Sequence, residues 1–349
     1  MQIIELLQLG AWCKTCIESQ GIVGKYSALY SKINQNIRRN SNLQNSFVPF
    51  EAEKDILFES IKNITFQSLS LEQIKFLDRI GIVNLLGNDG ISRIEDILFK
   101  NQLDIITATA RIKSLVDIIT QAVTTINELS TVLSKSFSIE EDNGICDGDV
   151  LVRVYFKEGV AINNLTDFKT YSNLWYEIGR GVAMAQNKTA DDFKIIGASK
   201  GSIIISMAIA VGIATSISRI LLEALKVADK VLDIRKKCEE IKKLKLENKK
   251  IAEELNREAD KTKEEGIKSI LNIIVKKLGL KNEGEGDKIN ALEKSVKDLI
   301  DFTEKGGIVD FVQSKEDVDK NVREKTHKLN KNIDEIRVLE NKMKVIEKQ

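Results

Sequence analysis

From Val227 onward the apolar residues fall at Val227, Val231, Ile234, Cys238 and Ile241, and again at Ile251 and Leu255. Steps of three and four put them on one face of a helix with 3.6 residues per turn. Neither Pro nor Gly occurs between Gly212 and Gly266. The pattern therefore predicts one helix from about Ala208 to Lys263, roughly 80 Å long at 1.5 Å per residue. A rod of that length has to pair with another long helix, in the same chain or in a second copy. Asn248 lies on the stripe itself, where a buried amide lowers stability but fixes register and oligomer state. A second stripe runs through Val322, Leu329, Ile333, Ile336, Met343 and Ile346, with Thr326 where another apolar residue is wanted. It predicts a terminal helix from about Lys315 to Gln349, folding back antiparallel on the first.

The N-terminal third has shorter periods. Residues 1–40 read as two helices broken near Gly21 and Gly24, and the polar stretch 38–46 as a linker. Ile56, Leu57, Ile61 and Ile64 share one helical face. Ser70 stands three residues before Gln73, the spacing of a capping box. GNDG at 87–90 reads as a turn. A single helix is then predicted from about Ser92 to Ser136, with a stripe from Ile105 through Ile112, Ile119 and Ile126 to Leu133. Its other faces carry Thr, Ser, Asn and Gln rather than dense charge. That suits the central member of a bundle covered on most sides, with a segment that exchanges protein for lipid as the alternative.

Between these regions the period changes to two. VLVRVYF (150–156), FKIIGA (193–198) and SIIISM (202–207) read as strands, with a helix across 165–187 between the first two. An acidic loop, 138–149, precedes them. The expected fold is mainly α, with an N-terminal helical bundle over 1–137, a small α+β insert over 138–210 and long antiparallel coiled-coil helices over 211–349. The uncharged window 201–218 holds four Ser, one Thr and two Gly and falls short of the about 20 apolar residues that span a bilayer. It is expected to be a buried strand followed by the buried first turns of the long helix.

Composition narrows the function classes. The 53 basic and 52 acidic residues nearly cancel, leaving +1, whereas a dedicated nucleic-acid binder normally carries a net basic domain. One Pro in 349 residues agrees with a helical chain. The wealth of Ile, Lys and Asn fits an AT-rich bacterial coding sequence. Four scattered cysteines (Cys13, Cys16, Cys146 and Cys238) and an N-terminus without a basic start or cleavage site point to a cytoplasmic protein with reduced thiols. A single histidine, His327, and no second Cys pair leave zinc without enough ligands. No metal and no cofactor is expected.

Three strings carry possible chemistry. AWCKTC (11–16) resembles the active-site string of thioredoxin-like proteins, in which a helix N-terminus after a buried strand lowers the thiol pKa. Here only ten helix-patterned residues precede it, so two thiols on a helix face are expected. GASKG (197–201) resembles the nucleophile elbow of α/β-hydrolases, with Ser199, Asp310 and His327 in that family's chain order. The elbow demands a helix at once, and SIIIS prefers strand, so a hairpin turn is expected. The basic stretch 235–250 reads as the solvated face of a coiled coil, with phosphate or anionic lipid contact as its alternative.

The expected function is that of a non-enzymatic, self-associating scaffold or interaction protein of a bacterial multi-component system, such as one responding to phage. Its partners are itself and another protein. The assembly seam is expected at Val227, Val231, Ile234, Ile241, Asn248, Ile251 and Leu255 on one helix and Leu329, Ile333 and Ile336 on the other. A protein that inserts into membranes, similar in general plan to α-helical pore-forming toxins, is the second expectation. A hydrolase acting through Ser199 is the third.

Overall fold

The computed structural model describes residues 1, 3–41, 48–100, 104–136, 149–199, 203–243, 249–280, 284–312 and 320–347. It is mainly helical, with eleven α-helices and one four-stranded antiparallel sheet among the described residues. Chain contacts divide it into two compact units, Met1–Glu141 and Asp142–Gln349.

In the first unit, α1 (Ile3–Cys13) passes into a π-helical turn, Lys14–Glu18, and then α2 (Ile22–Ser41). Gly21 supplies the positive φ, +62°, that lets the chain turn between them. Three shorter helices follow: α3 (Glu51–Lys62), α4 (Leu71–Arg79) and α5 (Gly87–Lys100). The unit closes with α6 (Ile105–Ser136). The capping box forms as its spacing requires: the Ser70 hydroxyl accepts from the Gln73 amide, and the Gln73 side chain from that of Ser70. The same two residues fasten α4 to α1. Ser70 donates to the buried carboxylate of Glu5 at 2.8 Å, and the Gln73 side chain donates to the Glu5 carbonyl at 2.7 Å.

Two expectations fail in this unit. The helix predicted from Ser92 to Ser136 is two helices, and Asp104 caps the second by accepting from the Thr107 amide at 3.0 Å. GNDG is the first turn of α5. The covering of α6 is also narrower than its composition implied. Ala108, Ile112, Leu115, Ile119, Val123 and Ile126 are buried in one stripe, while Ile106 and Val132 are exposed. Thr and Ser on its outer faces are satisfied within the helix, Thr120 and Thr125 each donating to the carbonyl four residues back.

The second unit is built on β1 (Asp149–Tyr155), β2 (Lys194–Ser199), β3 (Ile204–Ala210) and β4 (Ile308–Val312), in the order β2-β3-β1-β4. Alternation decides its faces. Val150, Val152 and Val154 point inward with Met207, Ile209, Val309 and Phe311. They join one core with α7 (Leu165–Met184), α8 (Val211–Lys243), α9 (Lys249–Leu278), α10 (Gly286–Glu304) and α11 (Lys320–Glu347). Trp175 of α7 meets Phe302 of α10 edge-on at 5.3 Å. The three predicted strands are present. The fourth, β4, was not foreseen: it is only five residues long, its middle residue is Asp310, and its partner β1 lies over 150 residues away.

The single rod expected from Ala208 to Lys263 does not exist. The uncharged window is β3 followed by the first turns of α8, and α9 folds back antiparallel along α8. Cys238 Sγ lies 3.6 Å from the Ala252 carbonyl, and a Cβ on Gly266 would stand 2.6 Å from the Val227 side chain. Ala252, Ala259 and Gly266, seven residues apart, form the face of α9 that lies against α8. Small side chains at that spacing let two backbones approach closely, so the stripe of α8 is satisfied inside its own chain. The terminal helix α11 also packs on α8, but in parallel. Thr215 faces the Lys325 carbonyl at 3.4 Å, Ser218 faces Asn332, and Asp229 faces Lys342, both partners advancing together. Antiparallel pairing belongs to α9, because the passage through α10 and β4 returns the chain to the start of α8.

Candidate interaction surface

The sheet and α10 bury one face of α7 and leave the other open. Asn164 starts the helix by accepting from the Asp167 amide at 2.9 Å. Trp175, Ile178 and Val182 then turn inward. Opposite them, Leu165 is 86% exposed, Phe168 45% and Tyr176 56%. These positions differ by three and eight residues and so share a face about 16 Å long. Lys169 and Arg180 flank it. Arg180 meets Glu177 at 3.6 Å, and Glu177 also takes Lys294 of α10 at 3.0 Å. Exposed aromatic and leucine side chains beside an arginine match the composition of protein–protein contact surfaces. The neighbouring edge of the sheet is blunted against strand addition: β2 is short, begins with Lys194 and is irregular between Ile195 and Gly197.

The residues expected to form an assembly seam are spread over different environments. Val231, Leu329, Ile333 and Ile336 are buried in the unit's own core. Val227, Ile234 and Leu255 are half-buried, and Ile251 is exposed. The side chain of Ile241, and Asn248 entirely, lie outside the described residues. The polar pin inside this helix pair is another one: Asn332 donates to the Ser218 hydroxyl at 2.9 Å, with both residues buried. Its position, one residue before Ile333 on the terminal stripe, was the sequence signal available.

The cysteine string sits in wholly helical surroundings. Cys13 is fully buried at the end of α1, Cys16 is half-buried in the π-helical turn, and both are free thiols. Burial, then the charges of Glu18 and Cys16, push the Cys13 thiol up from 9.0 to about 12, opposite to what a nucleophilic thiol needs. Beside Cys16 lies an open groove of about 390 Å³ lined by Thr15, Gln20, Glu59, Ser60 and Asn63. A second open groove, about 450 Å³, runs between α8 and α9 past Lys226, Asp229 and Glu265.

The sheet holds Ser199 and Asp310 on opposite edges, β2 and β4, with two strands between them, a separation of about 14 Å. Ser199 pairs in register with Ile204 of an antiparallel strand, where an elbow would need a helix. Asp310 is buried and takes Arg337 of α11 at 3.1 Å. His327 is exposed on α11. The acidic loop, 138–149, lies outside the described residues apart from Asp149. Among the described residues no group of three His, Cys, Asp or Glu could hold a metal ion, and no helix is long and apolar enough to cross a membrane.

No family model matches this chain, and neither a curated protein nor a solved structure is similar to it.

Proposed function

We propose that the protein is a non-enzymatic, self-associating interaction protein of the cytoplasm, serving as a scaffold in a bacterial multi-component system. The observation that carries this reading is the outer face of α7, where Leu165, Phe168 and Tyr176 stand in solvent while Trp175, Ile178 and Val182 are committed to the core. Leaving apolar side chains exposed forgoes about 25 cal/mol for each square ångström that stays wet. Tyr and Arg at the centre of a contact return the most on burial. A second copy can offer the same face across a two-fold axis, in which each residue meets its symmetry mate's neighbours. The long helices form the core beneath this face, with Val231, Leu329, Ile333 and Ile336 of their stripes buried within the chain.

Light scattering coupled to size exclusion tests it. The full chain is expected to run as a dimer or larger at about 100 μM, and Phe168→Glu with Tyr176→Glu to run as a folded monomer, a charge in such a contact costing several kcal/mol. A wild-type protein that stays monomeric throughout that range sinks the self-association.

A further inference from the structure

We infer that one end of the α8–α9–α11 layer is a binding site for a phosphate group, formed where Arg219, Lys277 and Lys328 converge from three helices. This goes beyond the proposed function and does not depend on it.

Topology brings the three together. The Thr215–Lys325 contact at 3.4 Å sets the start of α11 beside the first turns of α8, and Lys328 follows one turn later. The antiparallel register that puts Gly266 on Val227, continued along α9, brings Lys277 level with residues 213–216 of α8. Lys325 belongs to the same surface, its Nζ 3.9 Å from where a Cβ on Gly212 would stand. The stretches 211–223, 267–280 and 323–332 together carry eight Lys and Arg against two carboxylates, Glu223 and Glu324, in a chain whose net charge is only +1.

The pairing around this end is lopsided. Arg219 reaches Glu223 at 3.0 Å, but Glu223 also holds Lys226 at 3.2 Å. Lys328 holds Glu324 at 2.6 Å in an exposed pair, the kind that contributes little. Lys277 makes no hydrogen bond and no ion pair among the described residues. Burial, then Arg219, then Lys328 hold its ammonium below the usual lysine range. A last-turn lysine that served only the helix dipole would gain nothing from facing two more cations. An incoming dianion removes that repulsion and takes charge-assisted hydrogen bonds from all three groups, with Arg219 able to engage two oxygens at once. The phosphate can belong to a soluble ester or to a lipid headgroup.

The test uses the full chain with inorganic pyrophosphate as probe, at about 20 mM salt where screening is weak. Thermal melting is expected to rise with pyrophosphate in the wild type. Without ligand, Lys277→Gln should melt no lower than wild type, since like-charge repulsion is relieved. It should also bind pyrophosphate about tenfold more weakly. Lys328→Gln, an exposed change that leaves the core alone, should weaken binding in the same direction, and Lys297→Gln on α10 should not. Co-sedimentation with vesicles of phosphatidylcholine and phosphatidylserine, about 4:1, separates the sources. Lys277-dependent vesicle binding assigns the site to a lipid headgroup, and a pyrophosphate response without vesicle binding assigns it to a soluble ester. Wild-type protein that responds to neither probe, or Lys277→Gln and Lys328→Gln proteins that respond as wild type does, would overturn the inference.

Discussion

The Asn332 amide donates to the Ser218 hydroxyl at 2.9 Å, and neither residue reaches solvent. The hydroxyl in turn donates to the Thr215 carbonyl at 3.0 Å. This chain of donors ties α11 to α8 in the parallel sense that the Thr215–Lys325 and Asp229–Lys342 contacts share. Ser218→Ala leaves a buried amide without its acceptor and is expected to cost about 1–3 kcal/mol. Asn332→Leu combined with Ser218→Ala should recover much of that loss, because replacing both partners with apolar groups removes the desolvation penalty. Urea unfolding of the two single variants and the double variant measures the coupling, and strictly additive losses would show that the bond contributes nothing.

The same helix pair shows how far sequence pattern reaches. The terminal stripe is where its periodicity places it: Leu329, Ile333 and Ile336 are all buried. Direction is not legible in the stripe, which pairs equally well either way; it is set by the passage through α10 and β4 that returns the chain to the start of α8. The fold-back of α9 is hidden in the sequence because residues 244–248, between α8 and α9, include neither Gly nor Pro, and the spacing of apolar residues resumes beyond them. The signal that marks it is a different one, the sevenfold recurrence of Ala252, Ala259 and Gly266 on the face that meets α8. The open face of α7 was illegible for a related reason. That helix carries large apolar residues on both sides, and only the arrival of Phe302 on Trp175 decides which side is covered. β4 needed a partner from the far end of the unit before five residues around Asp310 could read as a strand.

Gly181 marks the closest approach of α7 to α10. A Cβ there would overlap both the Ser295 hydroxyl and the backbone carbonyl of Ala291. A side chain can move aside and a helix backbone cannot. Gly181→Ala is therefore expected to destabilise by about 2–4 kcal/mol, and a second change at Ser295 should not restore the loss. Gly197 on the edge strand, with nothing within 4 Å of its Cβ position, is the matched control and should accept Ala with little effect. Thermal denaturation of the two variants side by side decides it.

Alkaline pH should reveal the buried thiol. The folded chain holds the Cys13 proton to about 12, whereas an ordinary thiol loses it at 9.0. The folded state thus binds this proton more tightly than the unfolded state does. The corresponding stability is complete below pH 9.0 and declines as pH rises toward 12, by up to about 1.4 kcal/mol per pH unit for one group. Burial also raises Tyr26, which donates to the Leu85 carbonyl at 2.7 Å, adding a similar loss that starts above 10.0. Between pH 8 and pH 10 the wild type should therefore lose about 1 kcal/mol more than Cys13→Ala. Comparing each protein with itself cancels the cavity that the substitution leaves. Equal losses in both would mean that the thiol is as acidic folded as unfolded.

Asp310 is a buried carboxylate in the sheet of the second unit. Its side chain is 2% exposed, it meets Arg337 at 3.1 Å across from α11, and Arg153 stands directly opposite it on β1. The Arg337 guanidinium supplies the opposite charge that a carboxylate at this depth needs. Asp310→Ala should leave the half-buried Arg337 without its carboxylate and cost about 3 kcal/mol. Arg337→Met keeps the aliphatic reach of the side chain, and Arg153 still faces the carboxylate, so the loss should be smaller. Guanidinium chloride screens charge and would blur the contrast, so urea is the denaturant to use. If Asp310→Ala unfolds at the wild-type midpoint, the ion pair is not what holds α11 to the sheet, and the buried stripe of Leu329, Ile333 and Ile336 does so alone.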